Sequence, residues 1–228
     1  MGNPDQIAEF IRTLALWSVP VLAAVILHEI AHGAVALRLG DDTAKRMGRL
    51  TLNPLPHIDP IGTVVLPALL LFVGAPVFGY ARPVPVNYAK LRAPRRDMVL
   101  VALAGPLTNL VLAAASALVF HQLYGYLGGV AALPETPATR VAATVVVPLA
   151  LMAQHGVVIN VVLAVFNLLP IPPLDGGRVL AGILPAAQAR RFAAIEPFGF
   201  LIVVVLLTTN TLGAILEVPV RLLLHVLL

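Results

Sequence analysis

Four stretches of this chain are too long and too apolar to be hidden inside a water-soluble domain: residues 11–39, 98–123, 141–168 and 198–216. Each supplies the ~20 residues that cross ~30 Å of hydrocarbon at ~1.5 Å of rise per residue. Composition leaves no other solvent for them. Of 228 residues, 59% are hydrophobic and 11% charged, whereas a soluble domain carries about 25% charged residues. The chain therefore reads as an all-α polytopic membrane protein with about four full spans, forming one domain over residues 1–228. The first stretch exceeds a signal-peptide h-region and lacks a basic n-region, so it is read as a span and not as a removable leader.

Charge placement sets the topology. Residues 61–80 are apolar and long enough to cross, but Pro67, Gly74, Pro76 and Gly79 interrupt them. The connection around them holds eight of the fifteen basic residues: Lys45, Arg46, Arg49, Arg82, Lys90, Arg92, Arg95 and Arg96. A crossing at 61–80 would put the first three and the last five on opposite sides, against the positive-inside rule. The stretch is therefore read as a re-entrant hairpin. All eight then face the cytoplasm with Arg178, Arg190 and Arg191, and the N-terminus lies outside. Such backbone persists at membrane depth only where it packs on protein or lines water. The net charge of +4 is thus topological and not a nucleic-acid signal. The implied setting is the plasma or inner membrane.

Inside the first span stands Leu27-His28-Glu29-Ile30-Ala31-His32-Gly33. Residues four apart share a helix face, so His28 and His32 can offer two imidazoles to one metal ion. Glu29 adjoins the first ligand and can act as general base on a metal-bound water. Three ionisable groups in an apolar span are costly, at about 2.5–3.5 kcal/mol for a charged one at the bilayer centre. A catalytic zinc needs a third protein ligand and an open position. The chain has no cysteine, so that ligand is His, Asp or Glu. The best candidate is Asp175, in Asn167-Leu168-Leu169-Pro170-Ile171-Pro172-Pro173-Leu174-Asp175-Gly176-Gly177. Three prolines in four positions stop the third span, which puts the carboxylate on an unwound segment free to turn back. Asn160, two turns before Asn167, reads either as part of a polar stripe toward the site or as interhelical packing; Asn109 reads first as packing. His57 reads first as an interfacial loop histidine.

Together the two elements resemble the site-2 protease family of intramembrane metalloproteases. The family pattern is His-Glu-x-x-His in one span and Asn-x-x-Pro-x-Pro-x-Leu-Asp-Gly at the end of a later one. Here His28, Glu29 and His32 match the first, and Asn167, Pro170, Pro172, Leu174, Asp175 and Gly176 the second. Ala104-Gly105-Pro106-Leu107-Thr108-Asn109 in the second span is a further family-like stretch. The resemblance implies a compact form without PDZ or CBS modules, with one zinc ion held by His28, His32 and Asp175. It makes Glu29 the catalytic acid/base and gives Asn167 a part in substrate binding or oxyanion stabilisation. The reaction implied is hydrolysis of peptide bonds in single-span or other membrane proteins by a zinc-activated water, with the site toward the cytoplasm. The rival reading is a non-catalytic zinc-binding membrane protein, either a metal carrier or a degenerate homologue that binds helices; a carrier would favour inverted repeats, and none is visible. A helical substrate must be locally extended for cleavage, and pairing with a strand edge achieves this. Residues 46–53 have partial alternation before Pro54, which makes them a candidate substrate-pairing strand in a short membrane-associated sheet or, equally, a loop that caps the metal helix.

Overall fold

The computed structural model describes residues 4–72 and 79–228. Helices dominate. α1 runs Pro4–Arg38 and α2 Thr43–Arg46; after a π-helical turn over Pro60–Val65, α3 covers Leu66–Phe72. The long α4, Pro94–Ala131, and α5, Pro137–Asn167, form the centre of the molecule. The short α6, Asp175–Ile183, and α7, Ala186–Ala193, precede α8, Gly199–Thr208, and α9, Thr211–Leu227. Four helical stretches are long and apolar enough to cross a membrane: Asp5–Arg38, Pro94–Ala131, Pro137–Asn167 and Ala186–Thr208. The first three overlap the stretches read as spans at 11–39, 98–123 and 141–168 and extend beyond them at one end or both.

The fourth differs from expectation. Instead of one helix over 198–216, the chain breaks between α8 and α9, where Asn210 adopts a left-handed φ of 58°. The local sequence is Thr208-Thr209-Asn210-Thr211. The Thr208 hydroxyl donates to the Val204 carbonyl and that of Thr209 to Val205, both within the last turn of α8. Asparagine tolerates the left-handed region better than most side chains, so the helix stops there and restarts.

Small residues draw the helices together. Ala113 and Ala117 of α4 and Val157 and Val161 of α5 are buried in one cluster, and Val220, Leu223, Leu224 and Leu227 of α9 close over it. In lipid no hydrophobic force separates helix from solvent, so close packing of small residues holds such bundles. Large apolar side chains point outward instead, among them Phe10 and Leu14 of α1, Val111 and Leu118 of α4, and Val145 of α5.

Among the described residues no strand forms. Residues 46–53 are turns and irregular backbone, because Gly48 takes a φ of 65° and the Arg49 amide turns back to the Ala44 carbonyl. Over 79–87 the chain is neither helix nor strand, and Pro83 and Pro85 hold themselves and the residues before them, Arg82 and Val84, toward extended backbone. The stretch 61–80 includes residues 73–78, which lie outside the described residues. Its two ends lie side by side: the Tyr80 amide donates to the Gly62 carbonyl at 3.0 Å, and the Thr63 hydroxyl to the Tyr80 carbonyl at 3.0 Å.

Candidate metal centre

α1 presents His28 and His32 one turn apart on its buried face, each 7% exposed. Asp175, 5% exposed, reaches the same point from the first turn of α6. It therefore begins a short helix and does not sit on an unwound segment; the turn of Pro170–Leu174 ends one residue earlier than expected. The His28 and His32 Nε2 atoms are 3.0 Å apart, and Asp175 Oδ2 is 3.2 Å from each.

Hydrogen bonds fix what these three atoms offer. His28 Nδ1 lies 2.5 Å from Asn109 Oδ1, and His32 Nδ1 lies 2.7 Å from the Val101 carbonyl. The Asn109 amide nitrogen donates to the Ala24 carbonyl and to Asn160 Oδ1, so its oxygen is the atom facing His28. Both partners can only accept, so each imidazole carries a proton on Nδ1, and in the neutral ring, the form that binds a metal, Nε2 offers its lone pair toward Asp175. Asp175 Oδ2 is buried and accepts no hydrogen bond. With both rings neutral, three lone-pair-bearing atoms face one another, a donor set that a cation would join. Tetrahedral ligands ~2.0–2.1 Å from zinc stand about 3.3 Å from one another. The observed edges of 3.0, 3.2 and 3.2 Å fit that figure.

Gly105 of α4 forms the floor of the cradle. A methyl group there would overlap His32 Nε2 and stand 2.5 and 2.6 Å from His28 Cε1 and Nε2. Glu29 stands beside the triad without joining it. Its Oε2 accepts the Val84 amide at 2.6 Å, a bond from the extended segment to α1.

Residues 17–209 match the sequence profile of Peptidase family M50. The chain belongs to this family, that of the site-2 proteases. It is 37% identical over 191 residues to a Bacillus subtilis protein named "Putative zinc metalloprotease YwhC", covering 84% of this chain and 79% of that one. Rip2 of Mycolicibacterium smegmatis, with the same zinc metalloprotease designation, is 34% identical over 210 residues, 92% of this chain and 71% of the relative. For Rip2 of Mycobacterium tuberculosis the identity is 31% over 212 residues, 90% and 69%. No solved structure matches significantly.

In this M50 chain the triad and Glu29 line a cavity of about 450 Å³, which Asn167 and Arg178 also reach. Its walls are mostly apolar, with Tyr80, Pro83 and Val84 from the extended segment and Phe200 and Val203 from α8. The Asn167 amide is turned onto its own helix, donating to the Leu163 carbonyl at 2.9 Å. His57 is buried away from the triad. Its Nε2 lies 3.0 Å from the Thr51 carbonyl, and its own carbonyl accepts the Arg82 amide. The sequence reading underrated Asn109, which contacts a triad histidine. The available signal was its spacing four residues after Gly105, on the same face of an apolar helix. The Val101 carbonyl and the Val84 amide are backbone groups and leave no mark in a sequence.

Proposed function

We propose that this chain is an intramembrane zinc metalloprotease, a single domain over residues 1–228, that hydrolyses peptide bonds of membrane-spanning substrates. The observation that carries the reading is the convergence of three potential ligand atoms on one point, with a further carboxylate, Glu29, beside them. His28, His32 and Asp175 hold the ion. Zinc in that position supplies Lewis acidity, polarising a peptide carbonyl and acidifying a water toward ~7. Glu29 takes a proton from the attacking water and returns it to the leaving amine. With Oε2 held by the Val84 amide, Oε1 is the oxygen left to do this. Asn167, already on the cavity wall, swings from the Leu163 carbonyl to donate to the developing oxyanion.

The site faces the cytoplasmic side of the plasma or inner membrane. The contact between Gly62 and Tyr80 supports a re-entrant reading of 61–80, because a stretch that crossed would leave its ends a bilayer apart. The extended segment 79–87 lines the cavity and takes over the substrate-pairing role considered for 46–53. Pro83 and Pro85 lack amide donors, so pairing along it is short.

The test compares purified wild-type protein with Glu29→Gln, His28→Ala and Asp175→Ala against a panel of single-span substrates, with zinc measured on each. Glu29→Gln should keep zinc and fall to near-background cleavage. The two ligand variants should lose both, because three protein ligands are the minimum for a catalytic site. Asn167→Ala should keep zinc and lose about 10–1,000-fold in turnover. Full cleavage by folded, zinc-loaded Glu29→Gln would remove the proton carrier from the mechanism and return the chain to the class of metal-binding membrane proteins or to another base.

A further inference from the structure

Arg49 is a charged side chain in the wrong place for a topology signal. Its neighbours Lys45 and Arg46 are exposed, as basic loop residues at a membrane surface should be. Arg49 is 6% exposed. Its Nη2 donates to the Arg82 carbonyl at 2.7 Å and, more weakly, to the Pro83 carbonyl at 3.3 Å. Its Nε is buried without a hydrogen-bond partner. Among the described residues it forms no ion pair with a carboxylate. A guanidinium that leaves water for two neutral carbonyls loses hydration that these bonds only partly replace. The fold therefore holds something in place at that cost.

What it holds is the backbone just before Val84. Pro83 and Pro85 have no amide hydrogen, so Val84 supplies the one donor between Arg82 and Val86, and that donor is on Glu29. Gly33, one turn after Glu29 and on the same face of α1, lets both parts of the clamp come close. A methyl group at Gly33 would stand 2.5 Å from Leu50 Cδ2, 2.9 Å from Val84 Cγ1 and 3.1 Å from Ala44 Cβ. Residues 49–50 and 82–84 are thus seated together on the stretch of helix that carries Glu29. The Arg82 amide is tied in turn to the His57 carbonyl at 2.9 Å.

We propose that Arg49 is a positioning residue of the protease: by gripping the carbonyls of Arg82 and Pro83, it sets the Val84 amide on Glu29 and so decides which carboxylate oxygen handles the proton. The inference rests on the reading of Glu29 as proton carrier. Arg49 lines neither the triad nor the cavity. It reaches Glu29 through the backbone of 82–84 and also through the attraction of its charge for the Glu29 carboxylate, and Arg49→Lys, which keeps the charge, separates the two. Lysine at 49 would keep the charge and lose the planar fork.

Arg49→Ala and Arg49→Lys should be purified in full-length protein and compared with wild type in three ways. Hydrogen exchange in the metal-free protein should show the Val84 amide opening about tenfold faster in Arg49→Ala, while buried α4 and α5 amides stay protected. Zinc content should remain stoichiometric. Turnover should fall by about 10–100-fold in kcat, with KM changed by less than about threefold, as for the loss of a group that orients a catalytic one. Added guanidinium at millimolar concentration should restore part of kcat in Arg49→Ala, and Arg49→Lys should lie between it and wild type. If Arg49→Ala does not fold, the same exchange and kinetic comparison on Arg49→Lys decides. Unchanged Val84 exchange, unchanged kcat, or loss of zinc in a folded variant each overturns the proposal. Failure of the underlying reading looks different: Glu29→Gln would stay active whether or not Arg49 controls the Val84 amide.

Discussion

Asn109 joins three helices through one amide: its oxygen meets His28 of α1, and its nitrogen donates to Ala24 of α1 and Asn160 of α5. Replacing it by leucine leaves His28 Nδ1 buried without an acceptor and frees the imidazole to turn. Zinc affinity, measured by competition with a chromophoric chelator, should fall by about 10–100-fold in Asn109→Leu. Gly105→Ala should act more directly. The new methyl occupies the cradle, so zinc binding should be lost although alanine favours a helix by roughly 0.5–1 kcal/mol over glycine. Gly128→Ala, with nothing within 4 Å of the added carbon, is the control and should bind zinc normally. At this scale the sequence was informative where chemistry and spacing coincide. His28 and His32 lie one helical turn apart, and Asp175 follows a proline-rich stop. It was weak where the partner lies far along the chain, as Asn109 does from His28, and silent where the partner is a main-chain atom.

Between elements, the ties are made by short polar side chains at helix ends. Asp41 is buried; its Oδ1 accepts the Thr43 amide and hydroxyl, and its Oδ2 accepts the Asn87 amide, joining the end of α1 to α2 and to the extended segment. Burial works to raise the pKa of this carboxyl, but the bonds from Thr43 and Asn87 outweigh it and hold the pKa below the usual range. A depressed folded pKa contributes stability above the unfolded value that is lost as pH falls through the folded one. Thermal unfolding should therefore show the wild type losing stability below about pH 4. Asp41→Asn should start lower at neutral pH and show a shallower acid limb. The break between α8 and α9 gives a second expectation. Asn210→Gly should be tolerated, whereas Asn210→Val should cost about 1–2 kcal/mol, because a β-branched residue resists the left-handed region. The apolar run over 198–216 hid this break, since hydropathy averages over a turn; the local signal was the run of three threonines around an asparagine. Of the two readings held open for 46–53, strand or capping loop, the loop is the one that forms, for a similar reason. Alternation there is partial, and one glycine with positive φ turns the backbone before a ladder can start.

For the whole molecule, the number and order of apolar helices were legible because lipid permits few alternatives to a helix. The depth of the connection between α1 and α4 was not, since charge alone distinguishes re-entry from crossing. The chain has no native cysteine, so single-cysteine labelling is clean. Cysteine at Asn87 should label from the cytoplasmic face alone, and cysteine at Glu135 from the opposite face. Labelling of both from one side would overturn the topology. The site also draws on widely separated parts of the chain. His28 and His32 come early, Gly105 and Asn109 midway, and Asp175 after the third crossing; Phe200 and Val203 close the cavity last. That order has a consequence in time. At ~5–20 residues per second of synthesis, Asp175 follows His32 by roughly 7–30 s. On the proposed function, the nascent chain through that interval holds two of its three metal ligands and is not yet a hydrolase. On that function, membrane-spanning substrates inserted beside it are safe from it until Asp175 has joined the two histidines.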